Sequence, residues 1–290
     1  MGTSMDFQVK GQRLALDRPL LMGIINVTPD SFSDGGRFFD PQRAVEHAIR
    51  LVGEGADLLD IGAESTRPGA QPVDEQEERR RLIPVVAAVA KAVSVPISVD
   101  TSKAEVAKAA IDAGAVMVND VTALRGDSAM VEIVAKAGAS LALMHMQGSP
   151  QTMQHAPHYD DVIGEVARFL AARARFAIER GVARNRIVLD PGIGFGKTLT
   201  HNLDLLANLH VLKELGYPLL IGPSRKGFIG QLTRQSVEAR GWGTAAVVAL
   251  AVEQGANILR VHDVAPMKDV ANVAAALAER LSTGMRAQHA

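Results

Sequence analysis

Apolar residues in this chain fall into short dense runs. Each run is closed by a polar residue and followed by a loop and then a helical period. The stretch from Leu20 to Gly36, LLMGIINVTPDSFSDGG, sets the pattern. Its apolar part is too short for a helix and reads as a buried strand over 20–27, closing on the polar Asn26. The loop behind it is built of turn formers, among them Thr28, Pro29, Asp30, Gly35 and Gly36. A helix over 41–54 begins at Pro41, whose fixed φ suits a first turn.

The unit recurs. Apolar runs at Leu58–Ala63, Pro96–Asp100, Val116–Asp120, Ser140–His145, Ile187–Asp190, Pro218–Gly222 and Asn257–Val261 predict seven further strands. Helical periods at 74–93, 103–113, 129–137, 162–180, 202–215, 242–255 and 266–281 follow them, the second helix capped by Asp74. A short helical piece follows PSRKG, and the terminal RAQHA is expected to fray. Residues 146–161 are the longest stretch with no predicted element. Before the first unit, residues 6–17 alternate around a glycine and predict a hairpin. Continuous apolar strands alternating with helices imply a parallel sheet covered on its faces, and eight units imply a closed (β/α)₈ TIM barrel. Glycine follows a helix in EGAD (54–57), DAGA (112–115) and EQGAN (253–257), where a left-handed cap needs it. A doubly wound open sheet is the structural alternative.

Length, at 290 residues, allows one barrel domain with its core at about 18–282, and no linker-like break divides it. A net charge of -1 gives no field for nucleic acid or an anionic membrane. With no cysteine, disulfides and thiolate chemistry are excluded and a reducing compartment is expected. No apolar run reaches the roughly 20 residues of a membrane span, and the amino terminus has no apolar signal core. A cytoplasmic enzyme is the expectation.

In such barrels chemistry sits at the carboxyl ends of the strands. Those ends carry Asn26, Glu64, Asp100, Asn119, Asp120, His145, Asp190, Ser224-Arg225-Lys226, Arg260 and His262. A lone Asp at a strand end is most often a cap; a ring of polar ends around one mouth is harder to dismiss. Two decoys can be set aside. PGIGFGKT (191–198) has Pro191 where a phosphate loop needs glycine. His145, His155 and His158 lack the spacing of a zinc pair on a helix.

The segments GIINVTPDSFSDGG (23–36), DIGAESTRPGA (60–70), SVDT (98–101), VNDV (118–121), LDPGIGFGK (189–197), GPSRKGFIG (222–230) and RVHDV (260–264) resemble the bacterial dihydropteroate synthases. Order, spacing and residue types agree together over about residues 20–275. The resemblance implies condensation of 6-hydroxymethyl-7,8-dihydropterin diphosphate with p-aminobenzoate, releasing pyrophosphate, at a site that sulfonamides compete for. It places the pterin against Asp100, Asn119, Asp190, Lys226 and Arg260, and the diphosphate against Asn26, Arg67, Arg260 and His262. Asn26 corresponds to the ligand of a Mg²⁺ ion. Thr66, Pro68, Phe195, Ser224 and Lys226 would form the aminobenzoate pocket, while Phe32, Asp34 and Pro68 close the site from two loops. Asp34, Arg67, Lys226, Phe32 and Pro68 are thereby the expected catalytic set. The partners implied are small molecules and a second copy of the chain, a homodimer formed through the outer helices. Two alternatives remain at this level: a pterin-binding methyltransferase domain acting on methyl-tetrahydrofolate, and a catalytically silent paralogue. Arg67, His262 and TPDSFSDGG speak against the first, and the intact loop motifs against the second.

Overall fold

A computed structural model of the protein describes residues 7–9, 11–27, 41–65 and 69–287, with side chains up to 281. The expectations placed on Phe32, Asp34, Thr66, Arg67 and Pro68 lie outside the described residues.

Strands β1 (Phe7–Val9) and β2 (Gln12–Leu14) pair antiparallel, as the alternation around Gly11 predicts. Then follow β3 (Leu20–Asn26), α1 (Pro41–Gly53), β4 (Leu58–Gly62), α2 (Glu75–Ala92), β5 (Ile97–Asp100), α3 (Ala104–Asp112), β6 (Met117–Asp120) and α4 (Met130–Ala137). The second half is β7 (Ser140–Met144), α5 (Val162–Glu179), β8 (Ile187–Asp190), α6 (Leu199–Ala207), α7 (Leu209–Lys213), β9 (Leu220–Ile221), α8 (Gly227–Thr233), α9 (Gly241–Glu253), β10 (Ile258–Val261) and α10 (Val264–Ala287). The eight later strands are all parallel, in the order β8-β7-β6-β5-β4-β3-β10-β9. The circle closes where Leu189 bridges Leu219 and Leu189 N–H donates to Pro218 O at 2.9 Å. This is the expected (β/α)₈ barrel.

Local chemistry explains the boundaries. Asp74 caps α2 by accepting from Glu77 N–H at 2.9 Å. The three glycines of the predicted helix caps, Gly55, Gly114 and Gly255, all have positive φ. The helix expected over 202–215 is two pieces that start earlier. Asn208 breaks it with φ -127°, its side chain donating to Asp204 O at 2.8 Å. The last helix runs to Ala287, beyond the predicted 281 and into the tail expected to fray. The 146–161 stretch is ordered by its own hydrogen bonds. Gln147 brackets the backbone of His158, donating to its O at 2.9 Å and accepting from its N–H at 3.0 Å.

Alternation along each strand sorts the core into two bodies. Outward residues such as Leu21, Ile61, Val99, Val118, Leu143, Leu189 and Val261 pack under the helices. Inward residues Leu20, Met22, Leu58, Met117, Ala142, Val188, Leu220 and Ile258 fill the lower barrel. The hairpin plugs this end. Phe7 and Val9 join the inward cluster, and Ser140 Oγ donates to Gln8 O at 2.7 Å. Phe7 is fully buried. Phe7→Ala should therefore cost about 3–5 kcal/mol, the usual range for emptying a buried aromatic site, measured by urea denaturation. A loss below about 1 kcal/mol would mean that the hairpin only rests on the barrel.

Candidate active site

Counting two residues upward from the inward positions of the lower barrel gives the floor of the mouth. Leu58 leads to Asp60, Ser98 to Asp100, Met117 to Asn119, Val188 to Asp190 and Ile258 to Arg260. The same period puts Asn26 above Ile24 and His262 above Arg260. Each sits on a barrel strand or directly after one, which fixes its place in the ring.

Arg260 is its hub. Nε donates to Asp60 Oδ2 at 2.5 Å and Nη2 to Asp100 Oδ2 at 2.9 Å. Asn119 Nδ2 donates to the same Asp60 oxygen at 3.1 Å. Since a carboxylate only accepts, Asp60 also decides which way the Asn119 amide points. Its carbonyl oxygen is then left buried without a partner among the described residues, as are Asp60 Oδ1 and Ser98 Oγ. Buried orphan acceptors are rare in finished cores; here they sit in a mouth and match a ligand that brings donors. Hydrogen bonds to a guanidinium lie in its plane, so the two carboxylates hold Arg260 by its edge and leave its faces for stacking.

Asp190 occupies the opposite wall, its Oδ1 accepting from Gly192 N–H at 2.7 Å. Burial pushes its carboxyl above the usual range, opposed by the Gly192 N–H and by Lys226, Arg260 and Lys197. Asp100 is raised by burial too, with Arg260 working against the shift. Burial, with Arg260 nearby, pulls the Lys226 ammonium down while Asp190 and Asp100 support its charge. Lys226 Nζ lies 4.0 Å from the centroid of the Phe195 ring. Arg225, just before it, is held at φ +56° and bonds Asp263 twice, at 3.1 and 2.6 Å. That clamp ties the β9 exit to the β10 exit. Across it, Ser224 Oγ lies 2.8 Å from His262 Nδ1 and accepts from His262 N–H at 3.2 Å. The serine expected beside aminobenzoate is thus the partner of a residue expected at the anion.

Three polar strand ends do not face the floor. Asp120 turns outward and caps its own loop, accepting from Thr122 N–H at 2.8 Å and Leu124 N–H at 2.7 Å. Glu64 anchors the following segment, accepting from Val73 N–H at 3.1 Å and from Lys103, which also bonds the buried Glu78. His145 packs edge-on to Phe169, ring centroids 4.8 Å apart. Among the described residues no group of three His, Asp or Glu is placed to hold a metal ion. A Mg²⁺ ion bound chiefly by phosphate and water asks less, since one hard oxygen from the protein suffices. The half-buried Asn26, beside Gly62 at the β3 end, fits that donor set.

The sequence profile of pterin binding enzymes matches residues 22–262. The chain belongs to the pterin binding enzyme family. A relative from Neisseria meningitidis serogroup C, a dihydropteroate synthase, is 50% identical over 260 residues, spanning 88% of this chain and 92% of the relative. Two solved structures of Xanthomonas albilineans dihydropteroate synthase superpose on this pterin-binding barrel. The one with 4-aminobenzoic acid has TM-score 0.88 at 50% identity, covering 95% of this chain and 98% of the other. The one in complex with 7,8-dihydropteroate has TM-score 0.84 at 47% identity, covering 94% and 98%.

Two residues of this polar cluster and its adjoining loop escape a reading by strand ends. Asp60 lies inside the apolar run LLDIG, and Lys197 follows the glycine loop. Strand parity alone could have found Asp60, since it stands two positions before the inward Gly62. Asp60→Asn should lower stability by roughly 2 kcal/mol in urea denaturation, less than the ~3–5 of a buried pair broken outright, because Asp100 still holds the guanidinium. Lys226→Met should leave stability nearly unchanged, since a lysine at the barrel mouth whose head group rests on the Phe195 ring supports little of the core. A collapse of the Lys226→Met melting temperature would instead make that lysine structural.

Proposed function

We propose that the protein is a dihydropteroate synthase, a transferase that joins 6-hydroxymethyl-7,8-dihydropterin diphosphate to p-aminobenzoate in folate synthesis. The observation that carries the reading is the inward ring of Asp60, Asp100, Asn119, Asp190, Lys226 and Arg260 on a chain about half identical to synthases over nearly its whole length.

The pterin edge carries an N–H and an exocyclic NH₂ side by side. Asp190, with one oxygen held by Gly192 N–H, faces that edge as an acceptor, and the Asn119 carbonyl and Asp100 take further donors. Lys226 supplies a cation for the ring carbonyl and nitrogen, and Arg260 lies on the ring face. Such charge-assisted recognition discriminates strongly against rings lacking those donors. In the reaction the aryl amine forms a bond to the methylene carbon, the bond from that carbon to the diphosphate oxygen breaks, and the amine gives up one proton. An aniline is a weak nucleophile, so stabilising the departing diphosphate is the main need. His262, Arg260 and Arg67 provide positive charge and donors there. Asn26 would hold Mg²⁺, which when bound would neutralise phosphate charge. The dihydropterin ring can carry positive charge at the methylene, which favours a dissociative path. Phe195 and Lys226 form the inner wall of the aminobenzoate pocket, with Ser224 behind them and Thr66 and Pro68 on the loop side; Phe32 and Asp34 belong to the closing loop. A sulfonamide occupies the same pocket.

The proposal extends to the assembly. Helices α9 and α10 pack on each other and carry exposed Leu250, Val273, Leu277 and Leu281, an apolar stripe suited to a second copy. Sedimentation should give a dimer. Among the described residues no helix is long and apolar enough to cross a membrane, and the proposed setting is a single-domain enzyme in the cytoplasm.

Mixing both substrates with Mg²⁺ and following pyrophosphate and dihydropteroate tests the activity; a methyltransferase or a silent binder would release none. Asp190→Asn should abolish turnover in a folded protein, because it replaces an acceptor facing donors and loses a bond worth roughly 1.5–3 kcal/mol. Unchanged pterin affinity by calorimetry would remove Asp190 from this role. The raised carboxyl sets a pH dependence as well. Acceptance needs the ionised form, so pterin affinity is full above the folded pKa and falls as pH drops through it. The fall should begin above the ordinary carboxylate range of about 4. In the empty protein the sign reverses. The raised pKa contributes stability that is present on the acid side and lost as pH rises through it.

Aminobenzoate should bind more tightly when Mg-pyrophosphate is present, by roughly 5–150-fold, the range of ordinary site–site coupling. Loops 28–36 and 65–73 are rich in Gly, Pro, Ser and Thr and need an anion to close on. Equal affinity with and without it would mean a preformed pocket.

A further inference from the structure

The loop between β8 and α6 is fastened by a group that the proposed chemistry does not use. Lys197 is 3% exposed. Its ammonium lies 3.0 Å from Gly192 O, 2.9 Å from Phe195 O and 3.0 Å from His145 Nδ1, with His145 O at 3.4 Å. An ammonium has three donors and no acceptor, so the three short contacts occupy it fully. None of them is a carboxylate. Burial depresses the Lys197 pKa to about 7, Asp190 supports the charge, and Lys226 opposes it. Burial together with Lys197 and Arg125 drives His145 down to about 3, so its ring is neutral and Nδ1 accepts.

The loop has little freedom around this point. Gly192 and Gly196 have φ of +67° and +60°, and a Cβ on either would run into the carbonyl of His145 or of Gln147. Gln154 Nε2 donates to Gly194 O at 3.0 Å and Tyr159 OH to Gly196 O at 2.7 Å. Gly192 itself connects the parts. Its N–H bonds Asp190, and its carbonyl accepts from both Lys197 and Phe195 N–H, the latter at 3.0 Å.

We infer that Lys197 is a positioning residue that couples the pterin carboxylate Asp190 to the Phe195 wall of the aminobenzoate pocket. A pterin engaging Asp190 favours its ionised form. The ionised carboxylate favours the ammonium at Lys197, and the ammonium holds Phe195 by its carbonyl at the distance its ring needs from Lys226. The inference rests on the synthase reading and deepens it.

The test is Lys197→Met, which keeps an unbranched buried chain and removes charge and donors. In the unmodified enzyme, formation of dihydropteroate is established first; its failure would defeat the synthase reading alone. In the variant, KM for aminobenzoate should rise about tenfold or more while KM for the pterin substrate rises by a clearly smaller factor, because Asp190 keeps its Gly192 N–H and loses only the support of one cation. Phe195→Leu should raise the aminobenzoate KM by itself, and adding Lys197→Met to it should add little, because both act through one ring. Hydrogen exchange should report faster exchange at the amides of 192–195 in Lys197→Met, independently of turnover. Equal rises in both KM values, additive effects with Phe195→Leu, or a lower melting temperature with neither KM nor exchange altered would each overturn the inference. If Lys197→Met fails to fold, Lys197→Gln, which can still donate to two carbonyls, should show the same selective rise at smaller size. An unaltered KM ratio in that variant would overturn it equally.

Discussion

The guanidinium of Arg260 between Asp60 and Asp100 is the constraint on which the mouth depends. Three strands that are not all neighbours, β10, β4 and β5, meet on one planar cation. Placing an arginine and two carboxyl groups at the top of an apolar barrel is costly unless each is partnered. Arg260 settles two carboxylates at once, and Asp60 then fixes the Asn119 amide. Of the orphan atoms, Asn119 Oδ1 and Asp60 Oδ1 are two that a donor-rich heterocycle would satisfy. The barrel spends polar order below the ligand so that recognition needs no rearrangement there.

A second network does comparable work at the rim. Lys103 joins Glu64, at the end of β4, to Glu78 inside α2, and the other oxygen of Glu64 holds Val73 N–H. The segment returning to α2 is thereby pinned at both ends of a strand–helix pair. The Arg225–Asp263 clamp does the same between β9 and β10.

Much of this was legible because apolar runs, glycine caps and strand-end polar groups obey local rules. Eight β–α units, the Asp74 cap and the inward Asn119, Asp190 and Arg260 follow from period and position. What escaped was decided by parity and by distant partners. The end of β6 illustrates parity: Asn119 and Asp120 are adjacent, yet one reaches the floor and the other caps a loop on the outside. Asp60 hides in an apolar run because its partner stands 200 residues away. Lys197 looked like part of a failed phosphate loop because its acceptors are backbone carbonyls, which sequence does not display. The break at Asn208 depended on one side chain turning back to Asp204 O.

The hairpin at the bottom has a bearing on traffic. With Phe7 and Val9 seated among the inward residues, the barrel is a blind well with one door. Whatever lies deepest has to arrive before the groups that sit above it, and it cannot depart past them. On the proposed synthase reading, the flat ring read by Asp190 and Asn119 would be the deepest guest, with the anion and the arylamine nearer the opening. A well closed at the bottom would then impose a queue on that reading: the pterin would enter first, and the product built on it would leave last.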